Sequence, residues 1–269
     1  MLRHCYLLVE GHHDVAFAGR FLKLRKLKMK NKLAEVSSFW HEGGGLIPRN
    51  FPPDSERDIH RRIVVPSFFE NDEVSVAIQN GGGLESLPKS LEESLTNLRS
   101  SEDLSSIGVL IDADSNKTPE QRFNWLKQVA PQMQMLRALG EVEEVEGVRR
   151  GVFVLPNNRD PGTMETVLLQ CADAVYPNLA IMAGRYIEEV KRDLAFLRYL
   201  SHGSNESKAV IGAMANVFRP GKSNEVSIQD QEWISSKSAS VEGVQLFYAF
   251  LGALLGLGTS PLKIDPTQD

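Results

Sequence analysis

At 269 residues the chain is long enough for one large domain or a domain plus a subdomain. Hydrophobic residues make up 42% and charged residues 24%, which excludes the disordered and fibrous classes. A formal net charge of −5 excludes a globally basic nucleic-acid surface.

The first apolar run, within MLRHCYLLVEGHHD, is cut off by charge after Val9 and does not read as a signal peptide. Residues 5–11 (CYLLVEG) read as a buried strand. Residues 14–27 follow with apolar positions 15, 17, 18, 21, 22 and 24, one face of a helix packed on a sheet. Lys23, Arg25, Lys26, Lys28, Lys30 and Lys32 form a basic run there, either a solvated face or a nucleic-acid contact. Residues 34–73 contain GGGLIPRNFPP and read as an insertion or lid, with the pair Arg61 and Arg62 inside it. A second strand is expected over 74–82. A helix over 84–98 carries Leu at 84, 87, 91, 95 and 98. A third strand (107–114), a helix over 119–139 open to a break at Pro131, and a fourth strand (151–157) complete the core, with the pair Arg149 and Arg150 just ahead of that strand. Alternation of strand and helix predicts a doubly wound α/β sheet, flanked by helices and with right-handed crossovers.

Residues 172–269 are mainly helical, with SHGSNES as a loop before KAVIGAMANVF. The expected organisation is a core over 1–171, interrupted by 34–73, with 172–269 as a helical extension packed on it. The longest apolar run, LFYAFLGALLGLG, is too short to span a bilayer and reads as a buried helix. Cys5 and Cys171 each lie in an apolar run and read as buried thiols. A cytoplasmic protein with no membrane partner is the expectation.

Ligands of open parallel sheets bind at the carboxyl ends of the strands. Here those ends read Glu10-Gly11, Asn80-Gly81-Gly82-Gly83, Asp112-Ala113-Asp114 and Pro156-Asn157-Asn158. Alternate residues of a strand point the same way, so Asp112 and Asp114 are expected to converge on one ion. Hard oxygen donors favour Mg²⁺ or Mn²⁺. Glu10, opposite them, adds negative potential that a cation would neutralise. Asp14 reads either as a helix N-cap or as a further ligand. Gly81 and Gly82, with Gly83, read either as a phosphate approach or as a flexible turn.

LLVEGHHD followed by GVLIDAD resembles the Toprim domain of topoisomerases, primases and OLD-family nucleases. Glu10 matches that family's glutamate, and Asp112 and Asp114 its DxD. FVLPNNRDPGTMETVL resembles the Gly-x-x-Glu element of OLD-like and small Toprim groups, at Gly162 and Glu165. ESKAVIGAMANVFRPGKS resembles the lysine-bearing helix of small stand-alone Toprim-like proteins, at Lys208. The resemblance spans about residues 3–30 and 74–222. From the residues alone, Glu165 reads equally as an acid near a helix that Asp160 caps, and Lys208 as a surface lysine.

The resemblance implies a Mg²⁺- or Mn²⁺-dependent nuclease that hydrolyses or nicks nucleic acid, with phage defence or DNA processing as its context. Asp112, Asp114, Glu10, Asp14 and Glu165 would hold metal; Glu10 would be the acid or base and Lys208 the catalytic cation. Gly81, Gly82 and Lys222 would contact phosphate. The expected partners are nucleic acid, DNA ahead of RNA, and a second copy or a partner protein. The rival expectation is a metal- or nucleotide-binding regulatory sensor that does not cut.

Overall fold

A computed structural model of the chain describes residues 2–42, 45–47, 64–98 and 103–263. Arg61 and Arg62, and most of GGGLIPRNFPP, lie outside the described residues.

The fold is α/β. Among the described residues its sheet has seven strands in the order β2-β3-β4-β1-β5-β7-β6. The four central strands are β4 (Val74–Asn80), β1 (Arg3–Val9), β5 (Ser106–Asp112) and β7 (Val148–Leu155), and they are mutually parallel. These are the four strands the apolar runs predict, each observed to end two residues earlier than expected. Three short antiparallel strands widen the sheet beyond that expectation: β2 (Lys28–Lys30), β3 (Ser67–Glu70) and β6 (Val142–Val145). The described C-terminal end of the 34–73 insertion therefore adds β3 to the sheet edge, beside β2 just ahead of the insertion. Trp40, near the insertion's N-terminal end, is fully buried, its Nε1 donating to Ser75 Oγ at 2.7 Å.

Period-two alternation divides β1 between two cores. Cys5, Leu7 and Val9 face one layer, and Tyr6 and Leu8 the other. The first layer is covered by α1 (His12–Leu24), α4 (Met164–Val175), α7 (Asn205–Phe218), α8 (Asn224–Asp230) and α9 (Glu242–Leu255). The second is covered by α2 (Leu87–Asn97) through Leu87 and Leu91, and by α3 (Pro119–Val129) through Phe123 and Leu126. Helix α3 stops at Val129, and Pro131 opens a separate 3₁₀ turn, the break the proline predicts.

The remaining helices, α5 (Pro177–Lys191) and α6 (Leu194–Leu200), lie outermost, and α5 packs on α4 and α7. The C-terminal helices share the first core: α9 packs on β5, β6 and β7, and Phe247 touches the rings of Phe17, Phe21 and Phe153. Cys5 and Cys171 are free and buried. No helix among the described residues is long and apolar enough to cross a membrane.

The loop after β1 leads to α1 on one face, and the loop after its neighbour β5 leads to α3 on the other. A crevice at the carboxyl ends of β1 and β5 is the geometric result, the place where open α/β sheets bind ligands.

Candidate acidic site

The pairing register sets Val9 beside Asn80 on one side and beside Leu110 on the other. Glu10 is thereby the first side chain off the end of the sheet, next to Asp112. Its Oε2 accepts from the Asp112 N–H at a long 3.5 Å.

Gly11 is the N-cap of α1, in extended backbone, and the helix begins at His12. Asp14 is therefore not the cap itself, as one reading of the sequence has it, but the third helical residue. Its Oδ2 reaches back to accept from the Gly11 N–H at 2.9 Å. Asp112 Oδ1 accepts from the Met164 N–H at 2.9 Å, in the first turn of α4. Glu165, in that same turn, is 3% exposed and accepts from Thr163 Oγ1 at 2.8 Å. Two helix N-termini thus converge on one crevice, and their partial positive charge helps explain why carboxylates are tolerated there.

Glu10, Asp14, Asp112 and Glu165 line a cavity of about 550 Å³, together with Glu225 from α8. Lys208, from α7, is the one lysine or arginine in that lining among the described residues. Burial is the largest influence on each shifted acid. It pushes Asp14 up to about 7, with repulsion from Glu10 next. It raises Asp112 well above the carboxylate range, reinforced by Asp14, Glu10 and Glu165. It raises Glu10 too, opposed by the Asp112 N–H and by the charges of Arg122 and Lys208. Burial and crowding therefore disfavour the charged acids of the crevice, a penalty that a bound cation would relieve.

Asp114 departs from the sequence expectation. Strand β5 ends at Asp112, and Asp114 has left-handed backbone with φ of 64°. Strand alternation therefore does not reach it, and its carboxylate pairs with the Arg122 guanidinium instead. It lines a neighbouring cavity rather than the acidic one, although its charge still repels Glu10.

The Gly-x-x-Glu element has a clear structural basis. Gly162 bridges to Asp114 through two backbone hydrogen bonds of 2.9 and 3.0 Å, at a φ of 145° that strongly favours glycine. A Cβ there would lie 2.8 Å from Thr166 Oγ1. Because the chain stays extended through this bridge, α4 starts after Thr163 rather than at Pro161. Asp160 accordingly caps nothing; it accepts from Asn157 Nδ2 at 2.7 Å.

The glycine loop does not offer its amides to phosphate. Gly81 N–H donates to Val9 O, Gly82 N–H to Asn80 Oδ1 and Gly83 N–H to Glu10 O. The loop ties β4 to β1 and fixes the backbone of Glu10. Lys222 sits exposed in the turn after α7 and is not part of the cavity wall. Asn157 and Asn158, at the end of β7, hold the local turn, Asn158 Oδ1 accepting from Val154 N–H at 2.7 Å.

Sequence reasoning missed Glu225 and Arg122. An acid in a helix's first turn is too common a pattern to single out Glu225. Arg122 lies eight residues beyond Asp114, and only the fold of the β5–α3 turn brings them together.

Oxygen-rich donors of this kind fit a hard divalent cation. Among the described residues, no three His, Cys, Asp or Glu side chains are already drawn into a ligand set. A cation would accordingly be held through waters or after side-chain rotation, in keeping with the reluctance of Mg²⁺ to dehydrate.

The sequence model of a family described as "Protein of unknown function (DUF3226)" matches residues 5–255. No curated protein matches the chain. Among solved structures, it is similar to a hypothetical protein from Pyrococcus horikoshii OT3, with 16% identity and a TM-score of 0.54, covering 93% of this chain and 100% of that one. A protein with unknown function from Thermoplasma acidophilum is 11% identical with a TM-score of 0.30, over 81% of this chain and 87% of that one. The first likeness is one of fold.

Proposed function

The chain belongs to the DUF3226 family, and from that premise we propose that it is a Mg²⁺- or Mn²⁺-dependent phosphodiester hydrolase that cuts or nicks nucleic acid. One observation carries the reading: four carboxylates, Glu10, Asp14, Asp112 and Glu165, face one cavity at the switch point of the sheet with Lys208 opposite them. The resemblance of the Glu10 and Asp112-x-Asp114 motifs to Toprim domains supports it.

A divalent cation bound there supplies Lewis acidity toward a phosphoryl oxygen and lowers the pKa of a bound water. Asp112 and Asp14, whose charged forms burial and crowding disfavour, would anchor the cation. Glu10, half-buried and with its carboxyl raised from the ordinary value by burial, suits a group that takes up or gives up a proton at its carboxylate. Lys208, on the exposed rim, would orient and neutralise the phosphate. Plasmid and oligonucleotide cleavage with Mg²⁺ or Mn²⁺, beside an Asp112→Asn control, tests this. Cleavage by wild type that the variant loses supports it, and equal cleavage by both sinks it.

A second reading, a metal- or nucleotide-binding sensor that does not cut, is favoured by the pairing of Asp114 with Arg122. That pairing withdraws one acid from the cation site. Stabilisation of wild type by Mg²⁺ without any cleavage would select this reading.

A further inference from the structure

Beside the acidic crevice lies a second cavity, of about 400 Å³, with the opposite chemistry. Among the described residues the first is lined by five carboxylates and one lysine, and the second by Lys117 and Arg122 against a single acid, Asp114, which Arg122 already neutralises. The rest of its wall is rich in neutral donors, among them Ser115, Asn116, Thr166 and Ser207.

The wall between the cavities is thin. Thr163 lines one and Met164 the other; Ser207 lines one and Lys208 the other. Arg122 donates from Nε to Ala113 O at 3.3 Å and from Nη2 to Asp114. A guanidinium has five N–H donors, so further ones remain.

We propose that this second cavity holds a backbone phosphate of a single-stranded polynucleotide whose neighbouring phosphodiester lies over the acidic crevice. The inference deepens the hydrolase reading and rests on it for the role of that crevice. A phosphodiester is an anion rich in hydrogen-bond acceptors, the complement of a cavity of cations and hydroxyls. The single strand follows from what adjoins the rim. The loop that contributes Gly203 and Ser204 runs back to α6, and Asn205 Nδ2 donates to Tyr199 O at 2.9 Å, tying the two together. There Tyr199 is 59% exposed, and the Arg198 guanidinium lies 4.6 Å from its ring centroid. An exposed aromatic ring beside arginine is a platform for an unpaired base, which a duplex keeps in its own stack.

The test measures binding of a fluorescein-labelled single-stranded oligonucleotide to the full chain in EDTA, by anisotropy across a salt series. The variants are Lys117→Glu and Ser204→Asp, both at the cavity wall and outside the acidic crevice. Each is expected to weaken binding about tenfold or more. Lys117→Glu should also flatten the salt dependence by about 0.7 in log–log slope, the value for one lost single-strand phosphate contact. The melting shift on adding Mg²⁺ should match wild type in both, which certifies the fold. Wild-type affinity in both variants overturns the proposal, as does a wild type that binds only duplex or binds no oligonucleotide. Cleavage is scored separately. Binding lost in the variants without any wild-type cleavage would remove the hydrolase reading and leave the phosphate cavity standing.

Discussion

Asp112 and Asp14 are acids that the fold holds against their chemistry, and their behaviour should be measurable without any assay of cleavage. Their carboxyls are raised, Asp14 to about 7, so the folded chain binds protons that the unfolded chain has released. The contribution of these two acids to the stability of the metal-free protein is then fully present below about pH 4 and is lost as pH rises through their folded values, about 7 for Asp14 and raised well above the ordinary value for Asp112. Asp112→Asn removes one charge from the cluster. It should flatten that decline, leave the metal-free protein as stable or more so at pH 8, and abolish stabilisation by Mg²⁺. Urea melts at several pH values, with and without Mg²⁺, check this; a variant that still gains Mg²⁺ stability would remove Asp112 from the cation site. Lys208 answers a different question. An ammonium aimed at phosphate matters most as charge builds in the transition state. Lys208→Ala should lower cleavage by about two orders of magnitude, while Mg²⁺ affinity stays or rises. Unchanged turnover would make it a surface lysine.

At the scale of elements, the join between β5 and α4 sets the site. Gly162 allows the bridge to Asp114, and α4 then starts where its Met164 N–H meets Asp112. Gly162→Ala adds a Cβ 2.8 Å from Thr166 Oγ1 at a φ of 145°. We expect a loss of about 1–3 kcal/mol in denaturant melts, together with a weaker response to Mg²⁺ because the first turn of α4 moves. A variant as stable as wild type would show that the bridge is dispensable. The strands legible in the sequence were those buried on both faces, where apolar runs are nearly continuous. β6 escaped because VEEVEGVRR reads as charge. Its turn, with φ of 54° at Glu146 and 79° at Gly147, is a two-residue hairpin connection whose one overt sign was a single glycine.

Across the whole molecule, the C-terminal helices complete the core that α1 begins. Phe247 on α9 is fully buried against Phe17, Phe21 and Phe153, which belong to α1 and β7. Phe247→Ala should cost about 3–5 kcal/mol and should destabilise the sheet and the C-terminal helices together. Coincident unfolding by tryptophan fluorescence and far-ultraviolet circular dichroism would be the outcome. Two separated transitions would instead make residues 172–263 an independent unit.

The sequence by itself determined the α/β class, the four parallel strands and the candidacy of Glu10, Asp14, Asp112 and Glu165. Apolar runs mark the buried strands and acids just past strand ends mark the site, while Glu165 is singled out by the resemblance of Gly162-x-x-Glu165 to the Toprim element. Only the tertiary structure decided which acids face one another. Asp114 fails to join Asp112 because a left-handed residue ends the alternation and Arg122, from the next helix, takes its charge. Glu225 joins the crevice from far along the chain. The glycine amides are already used in fastening β4 to β1. Each of these depends on a partner brought close by folding, and neither spacing nor residue type encodes such a partner at the position it serves.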